Sequence, residues 1–579
     1  MPLMGQLSSS FAPVLGVALN LVSAVVRSYR CSTYRRKLSY WVFKRYEPNS
    51  VGTVTALLLG VPVLVSNIVA QHPIFSRCNY THTILILIVT HNILLACFTA
   101  AYRLSPFHPL AAFPGPACAK LTKFTVAWVT SKGKQYQFYR ALHDKYGDVV
   151  RIGPNELSIR HVDAVAPILG HDGLPKGPFW DYRADAGSHP PLVAVREPRE
   201  HSKRRKPWNR AFSRIALQGY EKPLLGNIER LTEALDARTN QIVDMTMWMG
   251  YFALDFMGDI VFGQPYRILE SGMDAQGVRG ILEDGVRSSA ITGQIPWAIP
   301  ILRWLRITAY DRMKQYARSS ALRRLEDTER AKDIFHYLND EQGVQSVQRP
   351  LALVASDAGL AMIAGSDTTT ATLSAMWYCL LSNDVAYKRL QQEIDVAFPT
   401  DELPTNLGTM ASMQYLNACI NETLRLFPAL LGGAQRSVLP GTGGKMIRSF
   451  FVPEGTQVLV PAYSLHRDPR CFSPLPDAFW PDRWLPEGDR AYPPSISQND
   501  PFVLNAAALI TFSHGPASCV GKSLALMVLR AVVCSLVHTF DVMPSGDIGS
   551  WEEHIEDYFT AKCGPLMAVL SRRKEVQGT

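Results

Sequence analysis

Phe512-Ser513-His514-Gly515-Pro516-Ala517-Ser518-Cys519-Val520-Gly521 carries one cysteine on a glycine-flanked loop, directly ahead of the apolar run from Gly521 to Phe540. A run of that length and composition reads as a helix. The sulfur then sits near a helix N-terminus, where backbone N–H groups and the helix dipole favour thiolate. A thiolate can ligate iron and push electron density toward bound dioxygen. Phe512, just upstream, is placed to shield that sulfur from water. An ordinary loop cysteine is the better reading of Cys519 taken alone, and the flanking pattern reverses it.

Working outward, the bulk numbers bound the rest. The chain has 579 residues, 47% hydrophobic and 19% charged, which is the composition of a folded protein and excludes global disorder. Its ten cysteines include no Cys-x-x-Cys pair, so a disulfide scaffold is excluded and most of them read as small buried apolar residues. The formal charge of +9 is unevenly spread: Arg27, Arg30, Arg35, Arg36, Lys37, Lys44 and Arg45 occur with no acidic residue among them. That segment lies between hydrophobic stretches and no nucleic-acid-binding module is present, so the charge points to a membrane and not to nucleic acid.

Three uncharged stretches are candidate bilayer spans, over residues 8–26, 51–70 and 83–102. A cleaved signal peptide is the rival for the first, and buried core helices are the rival for all three. With the basic segment cytosolic, the third span returns the chain to the cytosol, where everything after Arg103 must lie. The expected organisation is a membrane anchor over residues 1–105 and a catalytic domain over 106–579, in the endoplasmic reticulum membrane and facing the cytosol. Asn79-Tyr80-Thr81 is a glycosylation sequon in the expected lumenal loop; Asn421-Glu422-Thr423 reads as a chance match within a cytosolic helix. Phe113-Pro114-Gly115-Pro116 forms a stiff, non-helical hinge after the anchor.

The remainder reads as mainly helical with small sheets. Helices are expected at Lys134–Tyr146, through most of Pro207–Phe335, and at Leu351–Leu381, Val385–Phe398, Met410–Leu426 and Gly521–Phe540. Strand-like runs occur at Val149–Ile152 and Glu156–Ile159, around the turn Gly153-Pro154-Asn155, and at Lys445–Phe451 and Gln457–Val460.

Further clusters carry chemistry. Glu422 and Arg425 share one helical face. Ala364-Gly365-Ser366-Asp367-Thr368-Thr369 puts glycine and hydroxyl residues in the middle of a long apolar helix, where they loosen the backbone ladder and can open a groove. Asp367 is a lone carboxylate in an apolar run, costly unless used or paired. A solvent-facing polar stripe is its bland alternative. His201-Ser202-Lys203-Arg204-Arg205 is a basic cluster that also reads as a solvated face or a docking patch.

Together these segments resemble the cytochrome P-450 family, over roughly Tyr102 to Pro565. The loop matches the family's haem-binding pattern Phe-x-x-Gly-x-x-x-Cys-x-Gly through Phe512, Gly515, Cys519 and Gly521. The resemblance implies the cytochrome P-450 fold with Cys519 as axial ligand of haem b. Ala517 stands where the family commonly has a basic residue holding a haem propionate, so another group must hold it. Arg436, His201 and Arg205 match propionate-binding positions, with His201 in place of the usual tryptophan. Glu422, Arg425 and Arg483 (in Phe479-Trp480-Pro481-Asp482-Arg483-Trp484) would form a structural network, and Asp367 and Thr368 the proton-delivery pair. The three-span anchor and Tyr146-Gly147-Asp148-Val149-Val150-Arg151 look most like enzymes of filamentous fungi, basidiomycetes especially.

The implied activity is insertion of one oxygen atom of O2 into a lipophilic substrate: a terpenoid, steroid, fatty acyl or aromatic compound, in secondary metabolism or xenobiotic oxidation. The implied partners are NADPH–cytochrome P-450 reductase, which supplies electrons from NADPH, cytochrome b5, and membrane lipid. Pocket regions are expected near Phe179–Asp185, Met245–Phe262 and Pro428–Ala434. A non-oxygenating haem-thiolate isomerase or dehydratase is one rival, which NADPH dependence would separate. A haem-binding sensor is another, and it would show no reductase-driven oxidation. A transporter has too few spans here for a transport core.

Overall fold

The computed structural model describes residues 51–64, 80–181, 183, 189–305, 309–327, 332–344, 348–400, 402–496 and 500–573. The expected first span, residues 8–26, and the sequon at Asn79 lie outside these. The chain divides into two compact units, Met1–Ala111 and Ala112–Thr579.

In the first unit, α1 (Gly52–Leu64) and α2 (Tyr80–Leu104) are both predominantly apolar. From Ile84 onward α2 is long and apolar enough to cross a bilayer, and none of that stretch is buried. Residues 65–70 of the expected second span lie outside the described residues, which cover its first part as α1. A π-helical turn over Ala56–Gly60 interrupts it. The Leu57 and Leu58 carbonyls in that turn accept from His91 Nε2 at 3.2 Å and Asn92 Nδ2 at 3.1 Å on α2. Such pairing is what an apolar surrounding demands of backbone and polar side chains alike.

The second unit is a helical body with small sheets. Near its start lie α3 (Gln135–Tyr146) and the antiparallel pair β1 (Val149–Gly153) and β2 (Glu156–Ile159). Then come α4 (Pro198–Ala211), α5 (Met245–Phe262), α6 (Val278–Gly293), α7 (Tyr310–Glu326) and α8 (Leu351–Leu381). Almost every residue of α5 is buried, as its lack of a polar face requires, and it packs along α8 at the centre of the core.

The C-terminal half adds α9 (Asp384–Ala397), α10 (Gln414–Leu426), β3 (Arg436–Ser437), β4 (Gln457–Leu459), α11 (Lys522–Thr539) and the hairpin β5 (Glu556–Tyr558) with β6 (Thr560–Lys562). The largest sheet runs β1-β2-β4-β3, with β2 and β4 parallel and the outer pairs antiparallel. The apolar run after Cys519 is therefore α11, a largely buried core helix.

Two expected elements are corrected. Met410–Leu426 is two helices, Leu407–Ser412 and α10, separated by extended backbone at Met413. The break is held by Glu393 of α9, whose carboxylate accepts from the Tyr415 and Leu416 N–H groups at 2.7 and 2.8 Å and so caps α10. Lys445–Phe451 is a hairpin, Lys445–Ile447 against Phe450–Val452, turning at Arg448 with φ 55°. Periodicity cannot see either turn, because one is made by a distant carboxylate and the other by a residue not typical of left-handed backbone.

Candidate active site

A cavity of about 770 Å³ lies between α8 and the Phe512–Gly521 loop. On its loop side, Cys519 N–H donates to Phe512 C=O at 2.9 Å, which closes the loop on itself. Gly515 has φ 71°, and a Cβ there would stand 2.3 Å from the Leu169 carbonyl, so only glycine lets the loop lie against that backbone. Gly521 is the N-cap of α11, and a Cβ there would stand 3.9 Å from Cys519 Sγ. The Cys519 side chain is exposed, but to the cavity. Burial pushes its thiol up, and the Gly521 N–H pulls the other way without overcoming it. The Gly521 N–H thus acts in the direction read from the sequence, toward thiolate and against burial, and metal coordination, which deprotonates a thiol outright, would add to it. Phe512 is half-buried, with Lys522 Nζ 5.7 Å from its ring centre.

Lys176, His201, Arg205 and Arg436 are among the basic side chains that line the same cavity. His201 and Arg205 are one turn apart on α4. Arg436 is the first residue of β3, and Lys176 faces it across an isolated antiparallel bridge, which sets the two side chains on one face. Among the described residues none of the four is in an ion pair with a carboxylate, and the buried Arg436 Nε has no hydrogen-bond partner. Burial, aided by Arg436, Arg205 and Arg204, pulls Lys176 down to about 7. Burial, with Lys176, Arg205, Arg436 and Arg204, takes His201 to about 3, so it is neutral near pH 7. Arg436 falls to about 10 through burial alone. Basic groups without carboxylate partners, one thiol and largely apolar walls fit an iron porphyrin with two carboxylates. The sequence reading missed Lys176: it is a single lysine in Pro175-Lys176-Gly177, and only the bridge brings it to Arg436.

Across the cavity, α8 runs unbroken, so the expected opening of its backbone does not occur. Its hydroxyls bond back one turn instead: Thr368 Oγ1 donates to Ala364 C=O at 2.6 Å, and Ser366, Thr370 and Thr372 do likewise. Gly365 admits Met257, whose Sδ lies 2.3 Å from where a Cβ would be. Thr368 lines the large cavity. Asp367, next in sequence and about 100° round the helix, opens instead onto a separate chamber of about 50 Å³ with Arg279, Glu283 and Lys562. Desolvation, reinforced by Glu283, raises Asp367 to about 7 against the pull of Arg279, Lys562 and a hydrogen bond with the Thr560 side chain. Thr560 borders both spaces. Pattern reading could not find Arg279, Glu283, Lys562 or Thr560, since nothing marks them before folding.

Behind the loop, Glu422, Arg425 and Arg483 meet with no exposed surface. Arg425 Nη2 and Nε donate to the two Glu422 oxygens at 2.8 Å each, and Arg483 Nε donates to Oε1 at 2.9 Å. The Trp480 N–H and the Trp484 indole add two more donors, at 3.0 and 2.9 Å. The attraction of the arginines holds Glu422 below the usual carboxylate range despite burial. The chance sequon is closed off: Thr423 is buried and its hydroxyl donates to Cys419 C=O.

Of the expected pocket regions, Phe179, Trp180, Arg183, Phe256, Met257, Ala429, Leu430 and Ala434 do line the cavity. Most of Met245–Phe262 is core. The sequence reading missed α6, α7 and Phe559, at the tip of the β5–β6 hairpin with φ 75°.

The comparisons agree in direction. A family model described as cytochrome P-450 matches residues 114–554. The cytochrome P-450 monooxygenase phqL of Penicillium fellutanum is 33% identical over 484 residues, 81% of each chain. Cytochrome P-450 67 of Uromyces fabae is 31% identical over 549 residues, 90% of this chain and 98% of the relative. Tryprostatin B 6-hydroxylase of Aspergillus fumigatus is 29% identical over 529 residues, 89% of this chain and 90% of the relative.

Proposed function

The chain belongs to the cytochrome P-450 family, an oxidoreductase family, and from that premise we propose a membrane-anchored monooxygenase that hydroxylates a lipophilic molecule of fungal secondary metabolism. Its relatives named as monooxygenases and as a hydroxylase support this reading. In it, haem b is held by Cys519 through iron and by Lys176, His201, Arg205 and Arg436 through the propionates. Lys176 takes the part left open by Ala517. When bound, the haem supplies dioxygen binding and oxygen insertion, and NADPH–cytochrome P-450 reductase, with cytochrome b5, supplies the electrons. Residues 1–105, with α2 as a span, form the anchor at the endoplasmic reticulum; residues 106–579 form the catalytic domain in the cytosol.

The chain's own residues orient, exclude and deliver. Apolar side chains of α5, α6 and the Phe179–Trp180 turn hold the substrate body and keep water out. The Thr368 hydroxyl rests on the Ala364 carbonyl; rotation about χ1, for which threonine has two accessible helical rotamers, turns its proton into the cavity. Asp367, protonated near neutrality in its chamber, re-supplies that proton through the space bordered by Thr560. Glu422, Arg425 and Arg483 hold the loop-side structure and touch no substrate.

The observation that carries this reading is that one thiol and four basic groups without carboxylate partners share one largely apolar cavity. The test is a Cys519→Ser variant expressed with ample porphyrin supply. The wild type should show a thiolate-type ferrous carbon-monoxide spectrum and NADPH-dependent oxidation with reductase. The variant should lose both, and a retained thiolate-type spectrum would mean another ligand.

A further inference from the structure

At the substrate end of the cavity a second cation stands apart from the propionate group. Arg183 follows the turn Pro178–Trp180, is 6% exposed and lines the cavity. Its guanidinium lies 5.3 Å from the Phe179 ring centre. Nη2 donates to the Phe179 and Ser289 carbonyls at 3.2 and 2.7 Å, and the Tyr310 hydroxyl donates to the Arg183 carbonyl at 2.8 Å. These contacts fix the group in place, and both acceptors are carbonyls, with no carboxylate among them. The buried Nε has no hydrogen-bond partner, and among the described residues no carboxylate lies within ion-pair distance. Asp181 is paired with Arg196 at 2.6 Å, and Asp311 lies 3.9 Å from Lys314. Burial and Arg303 pull Arg183 down to about 10, against the attraction of Tyr310 and Asp181. Arg183 is not among the cations that depress Lys176 or His201, so it does not belong to their cluster.

A guanidinium does not shed its proton in a protein. A buried one without a counter-charge is costly, and that cost is relieved by whatever anion enters beside it. We propose that Arg183 is a substrate-recognition residue and that the natural substrate is a lipophilic carboxylic acid, its carboxylate held at Arg183 and its hydrocarbon body along Trp180, Leu282, Val286 and Phe559. A single negative charge suits Arg183 here, where Phe179, Trp180, Leu282, Val286 and Phe559 of the same lining are apolar. The proposal rests on the reading of this cavity as the substrate pocket.

The test uses the full-length holoenzyme and three matched pairs: palmitic, abietic and lithocholic acids, each beside its methyl ester. Binding is followed by haem absorbance and, independently of haem, by equilibrium dialysis. At least one acid should bind about tenfold or more tightly than its ester, the scale of a charge-assisted hydrogen bond. Arg183→Gln should abolish that preference and leave the ester's affinity within about twofold. Arg183→Lys, which keeps the charge but loses the planar fork, should retain part of it. A merely structural Arg183 would weaken acid and ester alike. Equal or weaker binding of the acid in all three pairs, or a preference that survives Arg183→Gln, overturns the assignment. An intact ferrous carbon-monoxide spectrum beside that result faults the substrate class alone. Loss of the spectrum in the wild type faults the haem reading instead.

Discussion

Replacing Glu422 by glutamine keeps the side chain's shape and removes its charge. Five donors converge on the carboxylate: two from Arg425, one from Arg483, the Trp480 N–H and the Trp484 indole. In Glu422→Gln, one oxygen becomes an NH2 group. Placed at Oε1 it opposes Arg425, Arg483 and Trp480; placed at Oε2 it opposes Arg425 and Trp484. Either way a donor meets donors, and two fully buried guanidinium groups lose the counter-charge they share. Breaking a buried pair from one side costs about 3–5 kcal/mol. For the unit Ala112–Thr579, an unfolding entropy of about 2.1 cal/mol/K per residue amounts to roughly 1 kcal/mol/K. The Tm should therefore fall by about 3–5 °C, read by differential scanning calorimetry at matched scan rate. The pH dependence has a definite sign. Glu422 is held below its unfolded value, so its contribution is fully present above the ordinary glutamate pKa of about 4.3 and is lost as pH falls through the folded value. The gap between wild type and variant should close on acidification. A Tm within about 1 °C of wild type at neutral pH, or a gap that widens in acid, would refute the account.

Three further outcomes follow from the cavity. Thr368→Ala should retain haem but release more peroxide per NADPH consumed, and unchanged coupling would remove Thr368 from proton delivery. Asp367, raised to about 7, is protonated below that pH, so turnover should decline as pH rises through 7. Asp367→Asn should lower kcat about a hundredfold and abolish that limb, and an unaltered pH–rate profile would exclude the residue. Lys176, held at about 7 when folded, binds more protons in the unfolded chain up to about pH 10.4. The haem-free protein should gain Tm from Lys176→Met near pH 7 and lose that gain by pH 10; a gain independent of pH would place the lysine in solvent.

The long elements were legible because burial leaves a periodic mark. Leu351–Leu381 reads as one helix from its apolar run and is one, and the turn Gly153-Pro154-Asn155 announces the β1–β2 hairpin. The cysteine loop was legible because close backbone contacts leave glycines behind, as Gly515 against Leu169 shows. What stayed hidden depends on residues far apart in the chain. Glu393 caps a helix that it precedes, Lys176 meets Arg436 through one bridge, and Arg279, Glu283 and Lys562 gather around Asp367 from two other elements. The thiol's upward shift was hidden as well, since a helix terminus can be inferred from sequence and the depth of burial cannot.

The wall between the two chambers separates what evolution can alter from what it must preserve. Leu282, Val286 and Thr560 alone border both spaces. A lineage can therefore recontour the large cavity for new carbon skeletons while the acidity of Asp367 stays as it was. The converse holds too: on the proposed role of Asp367, a change at Glu283, which lines the small chamber and not the large cavity, should retune the working pH and leave the large cavity's contour intact.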